Sequence, residues 1–305
     1  MACFHPRYGY RAERGLIKFR TTPGAWRGLI TVSCGQCIGC RTEQKRQWGV
    51  RGMHELQTTP NGEASFLTLT YDNEHLPENG NLSKRHWQLF AKKLRYRIGE
   101  FRYLMCGEYG SRTHTERCHF HAIIYGEDFI FPNKRKTRQF LKNNDQGQPL
   151  YTSPVLTNIW DHGIHSIGAV SFDSVSYVAA YTQVKIRGRD KAKHYRRTGV
   201  NKTTGEVYHY DQVPEFALMS RNPGLGRSWI EKYHPEVYPR DEVLVNGVLA
   251  QPPDFYDRWY EKHYPTEMEE VKRKRTLNAY KYVEDNSPSR LATRKKVFIA
   301  KHAQR

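Results

Sequence analysis

Residues 117–124, RCHFHAII, place two histidines one residue apart in an otherwise apolar run. In an extended strand successive side chains point to opposite faces, so His119 and His121 share one face while Phe120 takes the other. Such a strand presents two imidazole nitrogens to one metal ion; a half-buried sheet with two self-satisfied histidines is the plainer alternative. Glu108 lies on or just beyond the preceding candidate strand, and an antiparallel return brings it near both histidines as a third ligand. Two nitrogens and a carboxylate accept a divalent ion and leave positions open to oxygens of water or substrate. Zinc favours mixed ligands of this kind in hydrolases, whereas magnesium or manganese is better suited to phosphate oxygens.

A second constellation is SYVAAYTQVK, residues 176–185. Tyr177, Tyr181 and Lys185 recur every four residues and in a helix lie near one face. An aromatic pair at this spacing is often core packing, but Val178, Ala179 and Ala180 can supply the packed face and leave the hydroxyls at a cleft. A phenolate attacks phosphorus and keeps the product covalently attached, preserving the phosphodiester energy for rejoining, and two phenols can act alternately. The metal face and the tyrosine helix thus divide the labour of phosphoryl transfer. Lys185 is placed to stabilise phenolate or phosphate, or is an ordinary solvent-facing lysine.

The elements that must hold these groups are readable in outline. SFLTLTY, residues 65–71, combines Phe66, Leu67 and Leu69 with threonines and predicts a strand. Ser83 caps a predicted helix over 84–98, whose Trp87, Phe90, Leu94 and Ile98 form an apolar stripe. Residues 101–109 and 118–126 predict two strands, and the short basic linker between them makes the pair antiparallel. Asp173 or Ser174 is the expected cap of a helix running to residue 186. Residues 43–58 carry Trp48, Met53 and Leu56 at approximate helical spacing, weakened by Gly49 and Gly52. A short strand is expected at 28–33, an exposed basic excursion at 131–150, a short helix over 153–163 and a strand over 164–172. After a basic, flexible-looking segment at 187–206 come helical pieces at 228–234 and 255–284, the latter divided by Pro265.

Lysine and arginine number 49 against 31 acidic residues, a formal charge of +18 at pH 7. A charge of that size repels itself unless a polyanion is near, which favours nucleic acid over an anionic membrane or a merely solvated basic surface. Candidate phosphate contacts are Lys84, Arg85, Lys92, Lys93, Arg95 and Arg97 on the capped helix, Lys134, Arg135 and Lys136 in the excursion, and Arg187 and Arg189 after the tyrosine helix. An aromatic content of 13% argues against general disorder. No apolar run has spanning length and the first residues lack the apolar centre of a signal peptide, so the expected compartment is cytoplasmic. Reducing conditions there make cysteines thiols or metal ligands rather than disulfides. Cys34, Cys37 and Cys40 form C-x-x-C-x-x-C, and Cys3 can complete a four-thiolate structural zinc site; reduced cysteines at a tight turn are the alternative.

The order of elements predicts an α+β fold, a central antiparallel sheet flanked by helices with a mainly helical or irregular C-terminal extension. Residues 1–60 are expected to be a cysteine-bearing segment and basic helix partly packed on the core. Residues 61–190 are the expected core, to which 28–33 is a candidate first strand, and 191–305 a basic extension.

FLTLTYD at 66–72, RCHFHAIIYG at 117–126 and SYVAAYTQVK at 176–185 occur in this order, with VSCGQCIGCR at 32–41, CGEYG at 106–110 and MSRNPGLGRSW at 219–229 around them. The ordered set resembles the replication initiators of microviruses, especially the gokushovirus branch, within the HUH endonuclease superfamily. The resemblance implies an HUH-type nuclease core in which His119 and His121 bind magnesium or manganese and Tyr177 and Tyr181 cleave and join strands. The third ligand varies among HUH proteins, so it fixes Glu108 less firmly. Val184 stands where related initiators often carry a polar or basic residue. The implied activity is rolling-circle initiation: the viral-sense strand is nicked and its 5′ end becomes linked to the protein. The implied partners are viral origin DNA, single-stranded or locally melted, and the host replication helicase and polymerase, in the host bacterial cytoplasm with no membrane involved. A noncatalytic, zinc-stabilised nucleic-acid-binding protein and a metallohydrolase of another phosphate ester are the competing readings.

Overall fold

The computed structural model describes residues 3–11, 17–19, 29–110, 117–129, 138–181, 190–201 and 203–303. The chain divides into two compact units, one of residues 1–47, 236–243 and 251–305, the other of residues 48–235 and 244–250. β1 (Arg7–Arg11), β2 (Ile17–Lys18) and β3 (Leu29–Val32) form a three-stranded antiparallel sheet with β1 in the middle. The strand expected at 28–33 therefore forms, and it pairs here rather than in the central sheet. Next come α1 (Ile38–Thr58), β4 (Ala64–Tyr71), α2 (Lys84–Ile98), β5 (Arg102–Tyr109) and β6 (Cys118–Tyr125). The hairpin β7 (Gln139–Asn143) and β8 (Pro149–Thr152) leads to α3 (Pro154–Ile159), β9 (Gly163–Gly168) and α4 (Phe172–Ala180).

The α+β architecture is as the element order predicts. Seven strands form the central sheet, β12 (Phe216–Met219) joining it from far along the chain, in the order β12-β5-β6-β4-β9-β8-β7. Every pairing is antiparallel. α5 (Asp190–Tyr195) and the hairpin β10 (Arg196–Val200) and β11 (Val207–Asp211) precede β12. After it the chain is largely helical: α6 (Arg227–Val237), the small hairpin β13 (Val243–Val245) and β14 (Val248–Ala250), α7 (Asp254–His263), α8 (Pro265–Tyr280) and α9 (Pro288–Ala303). Among the described residues no helix is long and apolar enough to cross a membrane.

Strand alternation gives the central sheet two apolar faces. Leu67, Leu69 and Tyr71 of β4 and Phe120, Ala122 and Ile124 of β6 face Trp87, Phe90, Ala91 and Leu94 of α2 and Leu156 and Ile159 of α3. Burying one such large side chain contributes about 1.5–3 kcal/mol, enough for a four-residue stripe to hold a helix otherwise rich in lysine and arginine. Ser83 caps α2 as expected, its hydroxyl accepting from the His86 amide at 3.3 Å. On the other face Leu104, Cys106, Ile123 and Tyr125 pack against Val175, Val178 and Ala179 of α4. α2 and α4 therefore lie on opposite sides of one sheet.

Three local expectations are corrected. The cap of α4 is Ser171, not Asp173 or Ser174: its hydroxyl accepts from the Ser174 amide at 3.1 Å, while the Ser174 hydroxyl accepts from the Ser171 amide at 2.8 Å. This reciprocal box satisfies two orphan amides at once, which a single cap at 173 or 174 does not. α1 begins at Ile38, before the expected Glu43. The flexible-looking segment 187–206 contains, in its described part, α5 and the first strand of a hairpin.

Gly49 and Gly52, which weaken the helix signal of α1, are what lets it meet α4. A Cβ on Gly49 would stand 2.6 Å from the Phe172 ring and 2.7 Å from the Ser176 hydroxyl; on Gly52 it would stand 2.4 Å from Val175 and 2.8 Å from the Tyr125 hydroxyl. The helix propensity lost at two glycines is offset by close packing against the tyrosine-bearing helix. Gly52→Ala is expected to cost about 1–3 kcal/mol by overpacking. Chemical denaturation measures this, and adding Val175→Ala should recover part of the loss; a purely additive double variant would show that the two positions do not meet.

Candidate metal centre and tyrosine helix

The strand register assembles the site. Glu108 pairs with His119 across β5 and β6, and Thr68 pairs with His121 across β4 and β6. Alternation then turns Glu108, His119, His121 and Thr68 toward the face that α4 covers. α4 contributes Tyr177 from its interior and Tyr181 as its C-cap.

Glu108 is only 3% exposed, and its Oε1 is the meeting point of the cluster. His119 Nε2 stands 2.8 Å from it, His121 Nε2 2.9 Å, and the Tyr177 hydroxyl donates to it at 2.7 Å. The Tyr181 hydroxyl donates to that of Tyr177 at 3.2 Å, and the two rings meet edge to face. The outer nitrogens of the imidazoles are held as well: His119 Nδ1 is 2.9 Å from the Arg117 carbonyl, and His121 Nδ1 is 3.0 Å from the Thr68 hydroxyl. Holding each ring by its far nitrogen aims Nε2 into the cluster, as an outer shell does for a ligating histidine.

Proton placement shows what the cluster lacks. A carbonyl only accepts, so His119 Nδ1 carries hydrogen, and its Nε2 then faces a carboxylate as a lone pair unless a second cation intervenes. Burial pushes the Glu108 carboxyl up, but hydrogen bonds from His119, His121 and Tyr181 outweigh it and hold the group well below the usual carboxylate range. Burial lowers His119, yet the Glu108 carboxylate and the Arg117 carbonyl raise it overall; burial and the neighbouring His119 lower His121. The set is an ionised carboxylate between two imidazoles of opposite tendency. Its three ligand atoms lie within 4.8 Å of one another, a donor set and spacing that fit one divalent ion. Burial and the adjacent Glu108 charge raise both tyrosine phenols above their ordinary range, so each is neutral near pH 7 and must lose a proton to react.

The structure thus brings Glu108, His119, His121, Tyr177 and Tyr181 together. Lys185, Lys134, Arg135, Lys136, Arg187 and Arg189 lie outside the described residues. Lys84, Arg85, Lys92, Lys93 and Arg97 are exposed on α2, on the sheet face away from the tyrosines. Lys93 bonds Asp161 at 2.7 Å, and the half-buried Arg95 lies 4.8 Å above the Phe101 ring. Cys3, Cys34, Cys37 and Cys40 form a second cluster of potential ligands, also with sulfurs within 4.8 Å of one another. Thr68 is absent from the sequence reading although its signal was there: alternation in FLTLTY puts it on the face of Phe66, opposite His121. Thr68→Val keeps the shape and removes the hydroxyl. It is expected to weaken manganese binding by about 10–100-fold in calorimetric titration; unchanged affinity would separate Thr68 from the site.

The family model for Replication-associated protein ORF2 matches residues 64–186, a span that contains all five of these residues. The chain is 29% identical to Replication-associated protein VP4 of Bdellovibrio phage phiMH2K, over 77% of this chain and 69% of that protein. It is 30% identical to Replication-associated protein ORF2 of Spiroplasma virus 4, over 67% of this chain and 66% of the relative. With Replication-associated protein ORF4 of Chlamydia phage 1 the identity is 29%, over 50% of this chain and 38% of that protein. No solved structure matches. With its histidine–glutamate cluster, the chain is a Rep/ORF2-like replication protein of the HUH superfamily, related to the replication-associated proteins of phages.

Proposed function

We propose that this chain is a microvirus rolling-circle initiator, a metal-dependent endonuclease and strand transferase that nicks and rejoins origin DNA through a covalent 5′-phosphotyrosine. The observation that carries the reading is the hydroxyl of Tyr177, 2.7 Å from Glu108 Oε1, with the hydroxyl of Tyr181 3.2 Å beyond it. Two phenols at an acid and two imidazoles have no packing purpose that phenylalanine would not serve. The phage origin of the relatives supports the viral assignment.

In the cleavage step the phenolic oxygen forms a bond to phosphorus while the bond from phosphorus to the 3′ oxygen breaks. The phenol proton leaves toward Glu108 Oε1, and the 3′ oxygen departs as a hydroxyl after taking up a proton. Held by Glu108, His119 and His121, magnesium or manganese supplies Lewis-acid charge for the phosphate oxygens. Rejoining reverses the step: the 3′ hydroxyl attacks the phosphotyrosine and the phenol recovers its proton. Two tyrosines allow one to hold the 5′ phosphate while the other attacks the regenerated origin.

On this reading residues 61–190 are the nuclease core, 1–60 the cysteine-bearing segment and 191–305 a basic extension. Lys185 is a charge partner of phenolate or phosphate. Lys84, Arg85, Lys92, Lys93, Arg95, Arg97, Lys134, Arg135, Lys136, Arg187 and Arg189 hold phosphates of single-stranded or locally melted origin DNA. The host replication helicase and polymerase complete the machinery in the host bacterial cytoplasm.

The test is incubation with labelled single-stranded origin DNA and manganese, followed by denaturing electrophoresis and peptide mass spectrometry of the adduct. Tyr177→Phe should carry DNA on Tyr181, Tyr181→Phe should carry it on Tyr177, and the double variant should carry none. No adduct with the unaltered protein would end the tyrosine mechanism and leave the binding-protein or metallohydrolase readings; an adduct on one tyrosine alone would end the alternation.

A further inference from the structure

The cysteine cluster lies apart from the tyrosine chemistry, and its geometry is specific. Cys34 and Cys40 sulfurs are 3.9 Å apart, Cys37 and Cys40 3.6 Å, and Cys3 and Cys37 4.0 Å. These separations are too long for a disulfide, whose sulfurs stand about 2.05 Å apart, and all four cysteines are free. Four sulfurs around one zinc at about 2.3 Å form a tetrahedron with edges of about 3.8 Å. In an iron–sulfur cluster each cysteine binds a different iron, which spreads the sulfurs more widely than one coordination sphere.

The backbone around the sulfurs is arranged for negative charge. The Phe4 amide donates to Cys37 at 3.3 Å, the Cys34 amide to Cys3 at 3.3 Å, and the Gln36 and Cys37 amides to Cys34 at 3.5 and 3.3 Å. Neutral thiols scarcely need such donors; a tetrathiolate with a net charge of −2 after binding a divalent ion does.

The position of the cluster says what it holds. Cys3 lies just before β1, Cys34 just after β3, Cys37 at the threshold of α1 and Cys40 in its first turn. The small sheet has little core of its own: Tyr8 is exposed, and Ile30 and Val32 are only half-buried. Phe4, next to Cys3, is buried against Phe298 of α9 with ring centroids 5.5 Å apart, and Lys295 of α9 meets His5 at 3.0 Å. We propose that Cys3, Cys34, Cys37 and Cys40 bind one structural zinc ion that clasps the N-terminal sheet to the start of α1 and, through Phe4 and His5, seats the C-terminal helix α9. A sheet too small to fold on apolar burial takes its stability from the metal, and the two chain ends are fastened through one ion.

Elemental analysis of the full-length protein, purified without chelator, should find about one zinc per chain, retained when His119 and His121 are both replaced by alanine and lost in Cys34→Ser/Cys37→Ser. Less than about a tenth of that zinc, iron in its place, or zinc kept by the cysteine variant would overturn the site. Cobalt exchanged into the unaltered protein should give the sulfur-to-metal charge-transfer bands of a tetrahedral thiolate; their absence counts against it. Because the cysteine variant can fail to fold, the clasp is read separately by hydrogen exchange on unaltered protein stripped of zinc with a mercurial and chelator. Amides of β1, β3 and α9 should lose about tenfold or more of their protection while those of β4 to β6 keep theirs. Unchanged protection in α9 would overturn the clasp.

Discussion

A single buried oxygen, Oε1 of Glu108, organises the site. It is shared by His119, His121 and Tyr177, and such sharing is tolerable in a low-dielectric interior only if the surrounding groups supply positive charge and donors. Everything around it serves that requirement. The antiparallel register of β5 and β6 sets Glu108 beside His119, that of β4 and β6 sets Thr68 beside His121, and the far nitrogens are tied off so that the near ones converge. A one-residue slip of β6 would turn both imidazoles to the α2 face and leave the carboxylate buried alone.

The helix that completes the site is placed by packing. Val175, Val178 and Ala179 bury its inner side against β5 and β6, while Gly49 and Gly52 let α1 press against it from the flank. The tyrosine rings are thereby left the single direction that leads to Glu108. α2, with its exposed lysines and arginines, is fixed by the other apolar face, so the sheet separates the most basic helix from the acid and phenols it might otherwise pair with.

Much of this was legible in the sequence where one periodicity dominates. Period two put His119 and His121 on one face and Glu108 on the neighbouring strand; period 3.6 located α2 and placed Tyr177 and Tyr181 together. The reading failed where a local signal is ambiguous or where tertiary structure decides. Ser171, Asp173 and Ser174 are all acceptable caps, and only the reciprocal bonds of Ser171 and Ser174 select among them. Gly49 and Gly52 look like weaknesses until the approach of α4 is known. β12 has four residues, FALM, with no alternation to announce it, and exists because β5 offers an open edge. Thr68 looks like any strand threonine until the register of β4 and β6 sets it opposite His121.

The way α4 ends gives its two phenols unequal mechanical standing. Tyr177 sits on a closed turn with Val178 and Ala179 packed beneath it, so a group attached there is fastened to the sheet itself. Tyr181 is the C-cap, at φ −70 and ψ −11, beyond the last full turn, where carbonyls run out of intrahelical donors. Moving it requires rotation about a few backbone bonds at a helix end, with no turn to break. One residue is a fixed post and the other a hinged arm, and cargo on the arm can swing away and return without loosening the post.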